Sequence, residues 1–221
     1  IMAALFGESM RELKYYWLKH CDLDGIPLII SRTGWSSELG YEIYLCDGQQ
    51  GSALWEKIMA AGEPLGLRPG HTSTIRRVEG GMLSYHADMT AANNPFELGL
   101  DRLIDLDMED DFIGKAALRR IQQTGITQRQ AGLVLDGPAL SGPNTAYWPL
   151  RVGNQVVGQI TSAVYSPRLK QNIALAMLDA DYSALGTQLE ADLSSEVRDV
   201  TVVEKPFFDP KKAIAASTHS A

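Results

Sequence analysis

Apolar and polar positions divide this chain into two textures. In the first, helix-like and strand-like segments alternate. Leu5, Phe6, Met10 and Leu13 fall at helical spacing and predict one amphipathic helix from Ala3 to Leu13. Lys14-Tyr15-Tyr16-Trp17-Leu18 follows as a run of bulky β-formers, predicting a strand whose aromatic residues belong to a core. Pro27 to Ser31 is a short apolar run. From Tyr41 to Cys46 the pattern alternates, with Tyr41, Ile43 and Leu45 on one face and Glu42, Tyr44 and Cys46 on the other. Asp47 is a plausible N-cap for a helix from about Gln49 to Ala61, with Leu54, Trp55, Ile58, Met59 and Ala61 as its buried stripe and Gly62 ending it. Pro69-Gly70 breaks the chain, and Ile75, Val78 and Met82 mark a second helix over His71 to Met82. Near Gln128 the texture changes. Residues 131–135, 149–152, 156–161, 173–178 and 200–203 are short β-like runs separated by Gly and Pro turns, with Gly153-Asn154 as a hairpin signal, and they predict a small barrel-like all-β domain. The residues beyond Pro210 show no periodicity and are expected to be peripheral or disordered.

The chain has 221 residues, enough for one large or two modest domains, and its 45% hydrophobic and 21% charged content is ordinary for a globular protein. A net charge of −7 with no compensating basic stripe argues against a nucleic acid or an anionic membrane as partner. Charged residues interrupt every apolar run well short of membrane-spanning length. Two cysteines, Cys21 and Cys46, in a chain this size fit reduced thiols and a cytoplasmic location better than a disulfide framework. The N-terminus has no basic region leading into an apolar one, and opens instead inside an apolar, helix-like pattern, as though entering the middle of a domain. No dinucleotide fingerprint, phosphate-binding loop or nucleophile elbow occurs, and the four histidines and two cysteines lack the spacing of a zinc site.

Glu42 is the anomaly in this pattern. A carboxylate inside a short strand flanked by apolar and aromatic residues is costly to bury unless well paired. Two readings are open: a solvent-facing Glu beside a snorkelling Tyr, which periodicity alone favours, or a ligand contact. Tyr85 and Asp88 fall in a segment with the character of a loop that presents functional groups. His86 beside them has a useful titration range, although a lone loop histidine is usually only solvated. Arg77 and Glu79 are most simply surface or structural charges.

Several blocks together bear a resemblance. Arg32 to Tyr44 reads R-T-G-W-S-x-x-x-G-Y-E-I-Y. Arg77-Val78-Glu79, Leu83 to Met89, Asn93 to Leu100, Asp111 to Leu118 and Ser162 to Ile173 follow in order. The chain resembles the glycine-cleavage T-protein (aminomethyltransferase) superfamily from about residue 2 to residue 208. The resemblance matches only the later part of a longer family member, so it implies a partial chain. It implies an α+β fold, with a folate-binding region over residues 1–125, a C-terminal β-barrel domain over 126–208 and a tail over 209–221. Asp111 to Leu118 then opens a helix reaching about Gln123. The cofactor implied is tetrahydrofolate, its pterin ring hydrogen-bonded by Glu42. Trp35 is expected to stack near the folate or the donor, and Tyr44 to line the pocket. Tyr85 and Asp88 become the candidates for a catalytic role.

Three activities occur among such proteins: aminomethyl transfer in glycine cleavage, methyl transfer from a small donor to tetrahydrofolate, and non-catalytic folate binding in iron–sulfur assembly. The third branch carries a cysteine signature that Phe112-Ile113-Gly114-Lys115 lacks. Aminomethyltransferases carry Ala-Arg-Asp where this chain has Thr72-Ser73-Thr74. The Gly34-Trp35-Ser36, Leu83-Ser84-Tyr85, Asn94-Pro95-Phe96-Glu97 and Tyr165-Ser166-Pro167 variants resemble the dimethylsulfoniopropionate demethylase branch. The expectation is therefore an enzyme that demethylates a small molecule, with the identity of the donor and the oligomeric state left open.

Overall fold

A computed structural model describes residues 1–217, which divide into two compact units, Ile1–Arg76 together with the segment from Asp209 onward, and Arg77–Phe208. In the first unit the expected single N-terminal helix is broken. Helix α1 spans Met2–Phe6, Gly7 takes φ +86°, and a 3-10 turn covers Glu8–Glu12. A left-handed glycine cannot continue an α-helix, so the apolar spacing is shared between two short pieces. Met10 and Leu13 still reach the core, packing with Ile30.

Strands β1 (Leu18–Leu23), β2 (Ile26–Ser31) and β3 (Glu42–Leu45) form an antiparallel sheet in that order. Asp24 and Gly25, both at positive φ, make the tight turn between β1 and β2, and Asp22 Oδ1 accepts the Gly25 N–H at 2.7 Å. The strand predicted over Lys14 to Leu18 is not formed. Tyr16 sits at φ +66°, Trp17 N–H donates to Lys14 C=O at 2.9 Å, and the strand starts only at Leu18. Pairing with the apolar β2 places β1 over the polar residues Lys19 to Asp22, and this overrides the local β propensity of the aromatics. Tyr16 and Trp17 are exposed rather than core. Burial, followed by its hydrogen bond with Tyr16, raises the neighbouring Tyr15 phenol to about 12.

Asp47 caps as expected, accepting the Gln49 N–H at 3.0 Å, and a 3-10 turn leads into α2, Gly51–Gly62. Leu54 and Ile58 face the sheet and pack with Leu23, Ile26 and Leu28, whereas Trp55, expected in the buried stripe, is exposed. One residue further along a helix is a rotation of about 100°, which carries Trp55 off the stripe that Leu54 defines. A Cβ on Gly62 would lie 2.3 Å from Leu67 Cδ2, so this close return of the chain needs glycine. The segment after Pro210, expected to be peripheral or disordered, is docked through residue 217. Asp209 accepts the Ala213 and Ile214 N–H groups at 2.8 Å each, Ala215 is buried, and the buried Arg32 donates to Ala215 C=O at 3.0 Å and Ser217 C=O at 2.5 Å. A buried guanidinium needs acceptors, and these carbonyls supply them. Residues 218–221 lie outside the described part.

Helix α3 is Thr74–Glu79, shorter than the expected His71–Met82. Ser73 Oγ accepts the Arg76 N–H at 3.3 Å near its start, and Gly81 at φ +63° follows its end. In the second unit, α4 (Lys115–Thr124) is followed by six strands. These are β4 (Gln128–Leu135), β5 (Trp148–Val152), β6 (Gln155–Ser166), β7 (Gln171–Asp179), β8 (Gln188–Asp192) and β9 (Val197–Val203). They close into an antiparallel barrel in the order β4-β7-β6-β5-β8-β9, which removes free sheet edges. Leu133, Leu150, Val157, Ile160, Leu178 and Val202 fill its interior. Gly153, at φ +57°, turns β5 into β6. Strand β8 was not among the predicted runs, although Gln188-Leu189-Glu190-Ala191-Asp192 alternates and buries Leu189 and Ala191. The fold is α+β with a C-terminal barrel, as expected. No helix among the described residues is long and apolar enough to cross a membrane.

Candidate functional site

Beyond β2 the chain leaves the sheet in a polar loop and returns as β3, pairing Ser31 with Glu42. Because Ile43 and Leu45 turn inward, strand alternation sends Glu42 and Tyr44 to the other face. The half-buried Glu42 carboxylate is held there through one oxygen. Thr33 Oγ1 donates to Oε2, and Tyr44 OH donates to the same atom at 3.3 Å. Thr33 spends its only proton on Glu42, so Ser31 Oγ, 2.5 Å away, donates to Thr33. Glu42 Oε1 accepts no hydrogen bond among the described residues.

This carboxylate lines a cavity of about 510 Å³, within the roughly 300–1,000 Å³ typical of small-molecule sites. The loop supplies Thr33, Trp35, Glu38 and Tyr41 to the wall, the segment leading into α3 supplies His71, Thr72 and Ser73, and α3 itself supplies Arg76. Trp35 lines the cavity and is 40% exposed. Tyr44 is 52% exposed and is not among the lining residues; it reaches the site through its bond to Glu42.

Three charged or titratable wall residues, Glu38, His71 and Arg76, were missed from sequence. Arg76 pairs with Glu38 across 38 positions of chain, and His71 Nδ1 lies 2.9 Å from Thr72 C=O. A carbonyl can only accept, so that contact places a proton on Nδ1. Apolar periodicity carries no signal for such a pairing.

Asp88 and Tyr85 belong to the second unit. Asp88 does lie between regular elements, yet it is 2% exposed and its carboxylate is fully engaged. Oδ2 accepts from Arg77 Nη1 and Ser84 N–H, each at 2.8 Å, and Oδ1 accepts from Thr161 Oγ1 at 2.6 Å and Ser162 Oγ at 2.7 Å. Arg77 Nη2 also donates to Ser162 at 2.7 Å. Four donors leave this carboxylate no lone pair for a substrate, so it ties α3, its own loop and β6 together instead of acting catalytically. Glu79 is likewise structural, accepting from Ser166 Oγ at 2.5 Å with Arg168 3.6 Å away. Tyr85 is exposed, its ring edge-on to His86 at 4.3 Å between centroids, and its hydroxyl has no hydrogen-bonded base among the described residues to activate it.

A strand-borne carboxylate facing a cavity of about 510 Å³, in a chain whose second unit carries a closed barrel, describes an α+β protein with a candidate small-molecule site. Comparison with known proteins narrows the class. Residues 1–108 match the GCVT N-terminal domain and residues 128–209 match the glycine cleavage T-protein C-terminal barrel domain. The chain belongs to the glycine cleavage T-protein family. It is 38% identical to the dimethylsulfoniopropionate demethylase DmdA of Ruegeria pomeroyi, over 92% of this chain and 55% of that protein. It is 32% identical to an aminomethyltransferase of Bacillus cereus, over 96% of this chain and 58% of the relative. The crystal structure of glycine cleavage system aminomethyltransferase T from Bartonella henselae shares the fold at a TM-score of 0.74 and 20% identity, over 90% of this chain and 54% of that one. The chain thus spans about half the length of the relatives it matches.

Proposed function

We propose that this protein serves tetrahydrofolate-dependent methyl transfer, demethylating a small donor of the dimethylsulfoniopropionate kind. The observation that carries the proposal is Glu42, fixed on one oxygen by Thr33 and Tyr44 and open on the other into a cavity of ligand size. A pterin presents an amino group and a ring N–H side by side, and a carboxylate accepts such a pair as it accepts an arginine fork. The residues fit the group. Glu42 would orient the pterin, Tyr44 and Thr33 would keep the carboxylate from turning, and the Trp35 face would hold a cationic donor, a contribution of about 0.5–2 kcal/mol.

Bound tetrahydrofolate would supply the N5 lone pair that takes the methyl group, the electron pair of the breaking carbon–sulfur bond leaving with the donor's sulfur and the N5 proton passing to solvent. A sulfonium methyl is already activated, so the protein is asked mainly for positioning, worth roughly 7–11 kcal/mol when donor and acceptor are aligned. That requirement suits a wall whose Thr33–Glu42 bond fixes a carboxylate for orienting a ligand. Identity to the demethylase of 38% supports this reading over aminomethyl transfer. Aminomethyl transfer is the second reading, supported by 32% identity over 96% of the chain.

Calorimetric titration of tetrahydrofolate into the protein, followed by mass detection of the folate product with dimethylsulfoniopropionate as donor, tests the proposal. Binding with formation of 5-methyltetrahydrofolate is expected. Binding without methyl transfer would pass the site to the aminomethyl reading, and absence of binding would return Glu42 to a solvated strand position.

A further inference from the structure

Arg76 is the guanidinium of the cavity wall, beside the carboxylates of Glu38 and Glu42, and has no part in the reading above. Its Nη1 is paired with Glu38, while Nε and Nη2 make no hydrogen bond among the described residues. The side chain is 44% exposed and lines the same cavity as Trp35 and Glu42. A guanidinium presents its donors as a rigid planar fork matched to a carboxylate. Glu38 already shows that this one accepts such a partner. Both partners are partly solvated, 44% and 26% exposed, so water weakens the pair and a second carboxylate can share the guanidinium. Glu38 also rides on a polar loop whose neighbour Ser37 is at φ +56°, not on a strand or helix.

From this geometry we infer that Arg76 is the carboxylate-recognising residue of the cavity, with Glu38 as an internal placeholder on the same guanidinium. The inference rests on the cavity being the ligand site proposed above. It adds the polarity of the ligand: an indole face for a cationic end, and on the same wall a guanidinium for an anionic end. A zwitterion carrying a methyl-onium group and a carboxylate satisfies both. A carboxylate can also come from the glutamyl tail of tetrahydrofolate, and the test separates the two sources.

Calorimetry on the whole protein would compare two matched pairs of probes: dimethylsulfoniopropionate against ethyldimethylsulfonium, and tetrahydrofolate against tetrahydropteroate, which lacks the glutamyl carboxylates. In the wild type, one carboxylated probe should bind more tightly than its partner. Arg76→Gln should weaken that probe roughly tenfold, the scale of one charge-assisted hydrogen bond, and leave its carboxylate-free partner unchanged. Arg76→Lys, which keeps the charge but not the fork, should fall between. Glu38→Gln should act with the opposite sign and tighten the carboxylated probe, a result that a merely structural ion pair would not produce. An effect confined to the sulfonium pair assigns the carboxylate to the donor, and one confined to the folate pair assigns it to the cofactor's tail. Equal weakening of both members of a pair, or no preference for carboxylate in the wild type, overturns the inference. Failure of both pterins to bind would remove the folate reading of Glu42, and the sulfonium pair alone would then decide the role of Arg76.

Discussion

Each of the two units holds a carboxylate in a polar setting, and the two are held in opposite ways. Glu42, in the sheet unit, is half-buried, fixed through one oxygen and open at the other. Asp88, in the barrel unit, is sealed from solvent and takes four donors, one of them a buried guanidinium. By sequence address the two look the other way round: Asp88, in a loop, has the place of a functional group, and Glu42, in a strand, has the place of a surface charge. What makes Glu42 the candidate for binding, and Asp88 a structural group, is the number of lone pairs the fold leaves unclaimed, not the kind of element that carries each.

Breaking the barrel carboxylate should have the largest effect. Asp88→Ala breaks the buried pair with Arg77 and removes the acceptor of three further donors, and breaking a buried ion pair typically costs about 3–5 kcal/mol. Urea unfolding should show a loss of that size, and a loss below about 1 kcal/mol would remove the structural role assigned to Asp88. The next effect sharpens the same contrast through a buried cation of the barrel unit. Lys205 donates to Gln130, and burial lowers its amine from 10.5 to about 8, with Asp88 pulling the other way and Arg129 adding to the drop. The folded state releases this proton more readily than the unfolded state. Stability from this group therefore rises as pH climbs from about 8 to 10.5, and the penalty is fully present below about 8. Lys205→Met should relieve up to roughly 3 kcal/mol below that window, with the advantage over wild type shrinking through it. A difference between the two proteins that does not change with pH would contradict the assignment. Comparing the two cancels the opposing contributions of Tyr15 and Cys21, whose burial raises their pKa values.

The smallest effect belongs to the sheet unit. Thr33→Val removes one of the two hydroxyls that fix Glu42 Oε2 and should cost about 1 kcal/mol of tetrahydrofolate affinity, a roughly five- to tenfold rise in Kd, with little change in unfolding. If stability fell and affinity did not, Glu42 would be a structural group like Asp88.

Much of the barrel was legible because five of its six strands are apolar runs punctuated by turn residues. Strand β8 escaped because it has only two inward apolar positions, Leu189 and Ala191, set between charged ones. The sheet unit was harder. Gly7 at positive φ splits a helix that apolar spacing joins, and the register of β1 comes from its pairing with β2, information that Tyr15 to Trp17 do not contain. Within the site, Glu42 and Trp35 stand out because one short motif carries both. Arg76 does not, since its place on the wall depends on a fold that brings residue 76 to residue 38. The aminomethyltransferase pattern puts its Arg at the position this chain fills with Ser73; the structure places Arg76, three residues later, on the wall of the cavity that Ser73 also lines.

The most direct test of the account is titration of tetrahydrofolate into wild type and Glu42→Gln, with urea unfolding of both. The variant keeps the shape and loses the charge that would accept the pterin's paired N–H groups. The account predicts a loss of affinity of roughly 100-fold, with unfolding changed by less than about 1 kcal/mol. Equal tetrahydrofolate affinity in two equally stable proteins would contradict it.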